Sequence, residues 1–255
     1  MRIVWGWLLV GVLVMVGATW FTTRAMMVLE LATRADAWLF VGAFGVGAVA
    51  AGAVIARHAS VRPWCEPVIA SGLAIAFMIA VAWYGRDANN SLIGPLSIMS
   101  SVQTFIASAL VVGGAYGGAL LGRRFTTPPS VPAIIVLSGL VMNGALMVAM
   151  GTLAGIAGHH RFAGGFVVVV MASVAAAGFA TQAVVATKRP WTCASGGLLL
   201  MLLFVQEDRG SITNGISAVL VLTLIGWIGA RIAVRVFRDR WTTPPISVPA
   251  ARVES

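Results

Sequence analysis

Apolar stretches, most of them about twenty residues long, follow one another along almost the whole chain, each closed by a small group of charged or turn-forming residues. A run of that length matches the ~20 residues an α-helix needs to cross a bilayer's hydrocarbon core. The pattern predicts eight spans, with cores at 5–22, 37–56, 67–84, 97–121, 132–157, 164–186, 193–206 and 215–236. The first follows Arg2 and is read as a mature span rather than a signal peptide. Its apolar run is long for a signal sequence, and no small-x-small cleavage site follows it.

The spans fall into two sets of four, because the chain repeats itself. The phrase RRFTTPPSVPA at 123–133 returns as DRWTTPPISVPA at 239–250. Residues 14–18, VMVGA, match residues 141–145, VMNGA, at a shift of 127. Arg34 matches Arg161, and Arg62-Pro63-Trp64 match Arg189-Pro190-Trp191, at the same shift (161 − 34 = 189 − 62 = 127). Cys65 pairs with Cys193 at 128, Ser97 with Ser217 at 120 and Thr126 with Thr242 at 116, so the second half is shorter by 11 residues (127 − 116) around its third and fourth spans. An even number of spans per half leaves the halves in the same orientation, related by a pseudo-twofold axis along the membrane normal. The expected fold is therefore an all-α, polytopic integral membrane protein whose eight transmembrane helices form two parallel four-helix repeats. Residues 1–131 make the first repeat, 132–240 the second, and 241–255 a disordered cytoplasmic tail. Each copy of TTPP stops the last helix of its repeat, since proline breaks the helical hydrogen-bond ladder.

Composition agrees with a bilayer solution. The chain is 59% hydrophobic and only 10% charged, against about 25% charged residues in soluble domains. The net charge of +9 comes from 16 Arg and one Lys placed in ones and twos between spans. Scattered arginines mark orientation rather than a nucleic-acid surface. Twelve basic residues fall on one side (Arg2, Arg57, Arg62, Arg123, Arg124, Lys188, Arg189, Arg231, Arg235, Arg238, Arg240, Arg252). Five fall on the other (Arg24, Arg34, Arg86, Arg161, Arg209). The positive-inside rule makes the first side cytoplasmic, with both termini on it. The Arg-, Ala-, Val- and Gly-rich usage points to a bacterial inner membrane.

Candidate chemistry is sparse. Few polar side chains lie deep in a span; Asn143 and Gln182 are the clearest and Gln103 is a third, and hydrocarbon forces such amides to face the bundle. The duplicate positions of Asn143 and Gln182 are Val16 and Ile55. Asp87 and Asp208 stand in matching outer loops and would gather cations at an external mouth. These five residues are the candidate path or pocket. Span seven, only 14 residues from 193 to 206, covers ~21 Å of a ~30 Å core, and a short segment at a matching position points to a transporter's substrate site. Gly113 and Gly117, with Gly114 and Gly118, form two overlapping GxxxG ridges in span four, answered by Gly229 and Ala233 in span eight. Such ridges let helices approach closely, so spans four and eight are expected to pack together near the pseudo-twofold axis or to form an oligomer face.

His58, His159 and His160 have no acid or thiol spaced to complete a metal site. No nucleophile elbow, HExxH, phosphate loop or dinucleotide turn is present. No enzyme activity, cofactor or nucleic acid is expected. The expected partners are the lipid bilayer and a second copy or another membrane protein. Two functional readings remain: a small-solute or ion transporter with its path between the halves, and a non-catalytic scaffold, sensor or assembly subunit.

Overall fold

The computed structural model describes residues 5–28, 37–58, 65–84, 101–124, 130–157, 163–185, 191, 194–200 and 212–237. Among these there is no strand. Seven α-helices are α1 Trp5–Val28, α2 Ala37–His58, α3 Cys65–Tyr84, α4 Ser101–Arg124, α5 Val131–Ala157, α6 Ala163–Val185 and α7 Ile212–Val236. A short 3₁₀ segment, Ser195–Leu200, lies between α6 and α7. An all-helical outcome follows from the composition, because an apolar chain in lipid must satisfy every backbone group within its own segment.

Five helices carry stretches long and apolar enough, by length and composition, to cross a membrane: Gly6–Met26, Trp38–Arg57, Val102–Arg124, Val131–Leu153 and Gly215–Val236. α3 and α6 carry shorter apolar stretches, Cys65–Phe77 and Val167–Ala183, among the described residues. The seven helices fall on the first six expected spans and on the eighth. In place of the seventh, the described part is the six-residue 3₁₀ segment; residues 201–211 lie outside the described residues, as does the tail 241–255.

α1 and α5 are the central pair. α2 packs on α1, and α4 packs on α2. α3 fills the angle between α1, α2 and α4. On the other side α6 packs on α5, α7 packs on α6, and the 3₁₀ segment wedges between α5 and α7. The core runs through the central pair, with Val10, Leu13, Val14, Met15, Val141, Met142 and Leu146 buried beside Phe40, Phe44, Val111 and Val174. Large apolar side chains point the other way too. Phe105, Val168, Val102 and Leu220 are 62–75% exposed, an outward face suited to lipid rather than water.

Without a hydrophobic drive between helices in lipid, close approach depends on small residues and van der Waals contact. The glycines show where that approach occurs. A Cβ on Gly17 would meet the Leu140 carbonyl oxygen and lie 2.8 Å from Gly144 N, while one on Gly144 would meet the Leu13 carbonyl oxygen. Gly114, Gly118 and Gly122 of α4 lie against Ala48, Val49 and Ala53 of α2. Gly178 of α6 lies against Gly226 of α7, and Gly229 of α7 against Ala175 of α6. This corrects the expected pairing of spans four and eight. α4 packs on α2 and α3, α7 packs on α6 and the 3₁₀ segment, and the central place belongs to α1 and α5. The physical reason is that α4 carries two ridges one residue apart. Gly114 and Gly118 are consumed by α2, whereas a Cβ added at Gly113 or Gly117 would meet nothing within 4 Å.

Candidate functional site

Seven polar side chains are buried among the described residues: Thr19, Thr23, Ser71, Ser138, Asn143, Thr181 and Gln182. Of the five buried hydroxyls, Thr23 and Thr181 bond within their own helix, whereas Thr19 Oγ1 and Ser71 Oγ are buried without a hydrogen-bond partner. Thr23 donates to the Thr19 carbonyl at 2.9 Å, and Thr181 to the Ala177 carbonyl at 2.8 Å. A hydroxyl can bond one turn back in this way and needs no neighbour. An amide has two donor hydrogens and an acceptor, so it must look outside its helix.

Asn143 does so at the central crossing. Its Nδ2 donates to the Gly17 carbonyl of α1 at 3.1 Å. Its Oδ1 is buried without a hydrogen-bond partner. The bond is possible because Gly17 and Gly144 bring the two backbones together at the same level. Gln182 is fully buried on α6. Met142 of α5 and Val174 of α6 both reach Gly226 and so share a level. Gln182 lies eight residues beyond Val174, or ~12 Å along the helix. Asn143 and Gln182 are therefore stacked two turns apart rather than joined. Gln103 is half-buried near the start of α4, whose packing partners are α2 and α3. The three amides stand on three different helices, α4, α5 and α6. Asp87 and Asp208 lie outside the described residues, and so does Cys193; Cys65 is a free, half-buried thiol in the first turn of α3. Among the described residues no three His, Cys, Asp or Glu side chains come together.

Ser138 was not singled out from sequence. It is fully buried, one residue before Gly139, and Gly196 of the 3₁₀ segment packs flush on this pair. Gly197 packs on Thr223 of α7, whose Oγ1 is buried without a partner. The shift of 127 supplies a comparison. It carries Ser138 to Gly11 (138 − 127) and Gln182 to Ile55 (182 − 127), two residues that touch each other in an apolar cluster with Ala70. Thr181 maps to Val54 and Asn143 to Val16. Four buried polar positions around α5 and α6 are thus apolar around α1 and α2. The signal that would have found Ser138 was this comparison applied to hydroxyl residues as well as to amides.

The contacts at the central crossing are reciprocal in the same register. Leu13 and Leu140 differ by 127, as do Gly17 and Gly144, and the contacts are Gly17 with Leu140 and Gly144 with Leu13. Comparison with protein-family models, with curated proteins and with solved structures finds no match to this chain.

Proposed function

We propose that the chain is an eight-span bacterial inner-membrane protein, made of two parallel four-span repeats, that moves a small solute or ion through its second repeat. The duplication is supported by the reciprocal α1/α5 contacts, the mark of a twofold interface in which patch i meets j and j meets i. It is supported too by the matching α2/α4 and α6/α7 pairs, in which Gly114 meets Ala48 and Gly229 meets Ala175 (48 + 127). Transport rests on one observation: the buried Ser138 of α5 stands beside a 3₁₀ segment where the first repeat has Gly11 and the helix α3. Irregular backbone at membrane depth is tolerated where protein buries it or where it lines a path, and transporter sites form at such interrupted segments. Gln182, fully buried on α6, is the residue to bind the polar cargo, with Ser138 on the neighbouring helix α5.

The test is flux in liposomes containing the purified protein, over a panel of neutral solutes and mono- and divalent cations. Asn143→Val, and Gln182→Ile combined with Ser138→Gly, install the counterparts of the first repeat, where Ile55 fills the space a Cβ on Gly11 would take. The combined Gln182→Ile and Ser138→Gly variant is expected to lower flux at least tenfold. Unchanged flux in that variant defeats the path.

A second reading, a non-transporting scaffold, sensor or assembly subunit, is favoured by the use Asn143 makes of its amide. That group ties α5 to α1 at a crossing closed by backbone contact. A folded protein with no flux over the whole panel selects this reading.

A further inference from the structure

The outward face of α7 differs from that of α4 in one respect. Gly114 and Gly229 occupy equivalent packing positions, which sets a register of 115 between the two helices (229 − 114). Buried positions follow it: Ala107, Val111 and Ala115 of α4 correspond to Leu222, Gly226 and Ala230 of α7. In the same register the outward stripe Val112, Tyr116 and Leu120 corresponds to Trp227, Arg231 and Arg235. The α4 stripe is 47–54% exposed and carries no charge. On α7 the equivalent stripe carries two guanidinium groups.

Their placement is costly unless an anion meets them. Trp227, Arg231 and Arg235 follow at four-residue spacing and so share one helix face. Arg231 and Arg235 are exposed, among Leu224, Ile228 and Ile232, which are 45–56% exposed. Arg231 lies five residues before the end of the helix at Val236, or ~7.5 Å. Its guanidinium carbon stands 5.2 Å from the centroid of the Trp227 ring. Helical side chains lean toward the N-terminus, so this contact draws the charge away from the helix end and toward the membrane interior. α4 keeps its own arginines, Arg123 and Arg124, in its last turn. Ionisable residues at membrane depth ordinarily face the bundle; Arg231 faces out.

Arginine's planar fork stacks on an aromatic face while leaving the N–H edges for phosphate oxygens. We infer that Trp227, Arg231 and Arg235 form a site for the phosphate of an anionic phospholipid headgroup. A lipid, rather than free phosphate, fits the setting: the flanking Leu224, Ile228 and Ile232 offer an apolar surface for the acyl chains beside the charged pair. The inference requires only that α7 crosses the membrane, and does not depend on transport.

Native mass spectrometry of the full-length protein, titrated with phosphatidylglycerol or phosphatidylcholine, tests it. Wild type is expected to retain about one phosphatidylglycerol per chain under conditions that strip phosphatidylcholine. Arg231→Gln is expected to weaken that retention at least fivefold, Arg231→Lys to weaken it less, and Arg124→Gln on α4 to leave it unchanged. A parallel thermal melt in detergent should show stabilisation by phosphatidylglycerol in wild type, none in Arg231→Gln, and none from inorganic phosphate in either. Equal retention by wild type and Arg231→Gln overturns the site. So does stabilisation by inorganic phosphate equal to that by the lipid. Photo-crosslinking from position 228 that captures a protein in place of lipid overturns it as well, since an acidic helix would then be the occupant.

Discussion

Replacing Gly17 by Ala adds a single methyl group at the point where α1 and α5 touch. That carbon would overlap the Leu140 carbonyl oxygen and lie 2.8 Å from Gly144 N and 2.9 Å from Leu140 C. All three atoms are backbone, so no side chain can turn aside. Ordinary heavy-atom contact is ~3.5–4.0 Å, and the helices must move apart to restore it. Overpacking of this kind costs about 1–3 kcal/mol. The separation also strains the 3.1 Å bond from Asn143 to the Gly17 carbonyl, a term of roughly 0.6–1.7 kcal/mol between membrane helices. The sum is about 2–5 kcal/mol. With ~2–4 °C per kcal/mol for a chain of about this size, the melting temperature in detergent should fall by roughly 4–20 °C. Gly113→Ala is the matched control on α4, where nothing lies within 4 Å of the added carbon. There the change should be neutral or slightly stabilising, because Ala is the better helix former. Equal melting temperatures for the two variants would refute the close crossing of α1 and α5.

Gly144→Ala, the reciprocal change, should cost about as much as Gly17→Ala by the same argument, measured in the same melt. Gly118→Val should separate α4 from α2, since even its Cβ would meet the Val49 backbone; increased protease sensitivity of α4 reads this out. Asn143→Val should change stability by less than about 1 kcal/mol, because the lost bond to Gly17 is offset by removing an Oδ1 buried without a partner; a fall of several kcal/mol would show that a hidden partner had been missed. Thr181→Val should be nearly silent in the melt, as its hydroxyl bonds only the Ala177 carbonyl one turn back.

The spans were readable in the sequence because lipid imposes a simple requirement, an apolar run of sufficient length. α1, α2, α3, α5, α6 and α7 lie where that requirement places them. The stretch Ser195–Leu200, expected to lie within span seven, was not readable as 3₁₀. Its Ser-Gly-Gly start offers little helix propensity, and the tight fit of Gly196 and Gly197 against α5 and α7 is a tertiary fact. The glycine ridges gave the opposite lesson. Spacing announced close packing but not the neighbour, and the two ridges of α4, one residue apart, proved to have different fates. Burial of Asn143 and Gln182 was legible from the cost of an amide in hydrocarbon. Their separation by two turns was not, because it depends on how antiparallel α5 and α6 are staggered.

The parallel, eight-span arrangement is tested most directly by side-specific labelling of single cysteines at duplicate positions, in a background with Cys65 and Cys193 replaced by Ala. Ser60 and Thr187 differ by 127, and each precedes the third span of its proposed repeat in the sequence. Ser60→Cys and Thr187→Cys should react with an impermeant maleimide from the same side of sealed vesicles, the side that also exposes the C-terminus. A cysteine at Asn89, in the following loop, should react only from the other. Labelling of positions 60 and 187 from opposite sides would contradict two parallel repeats.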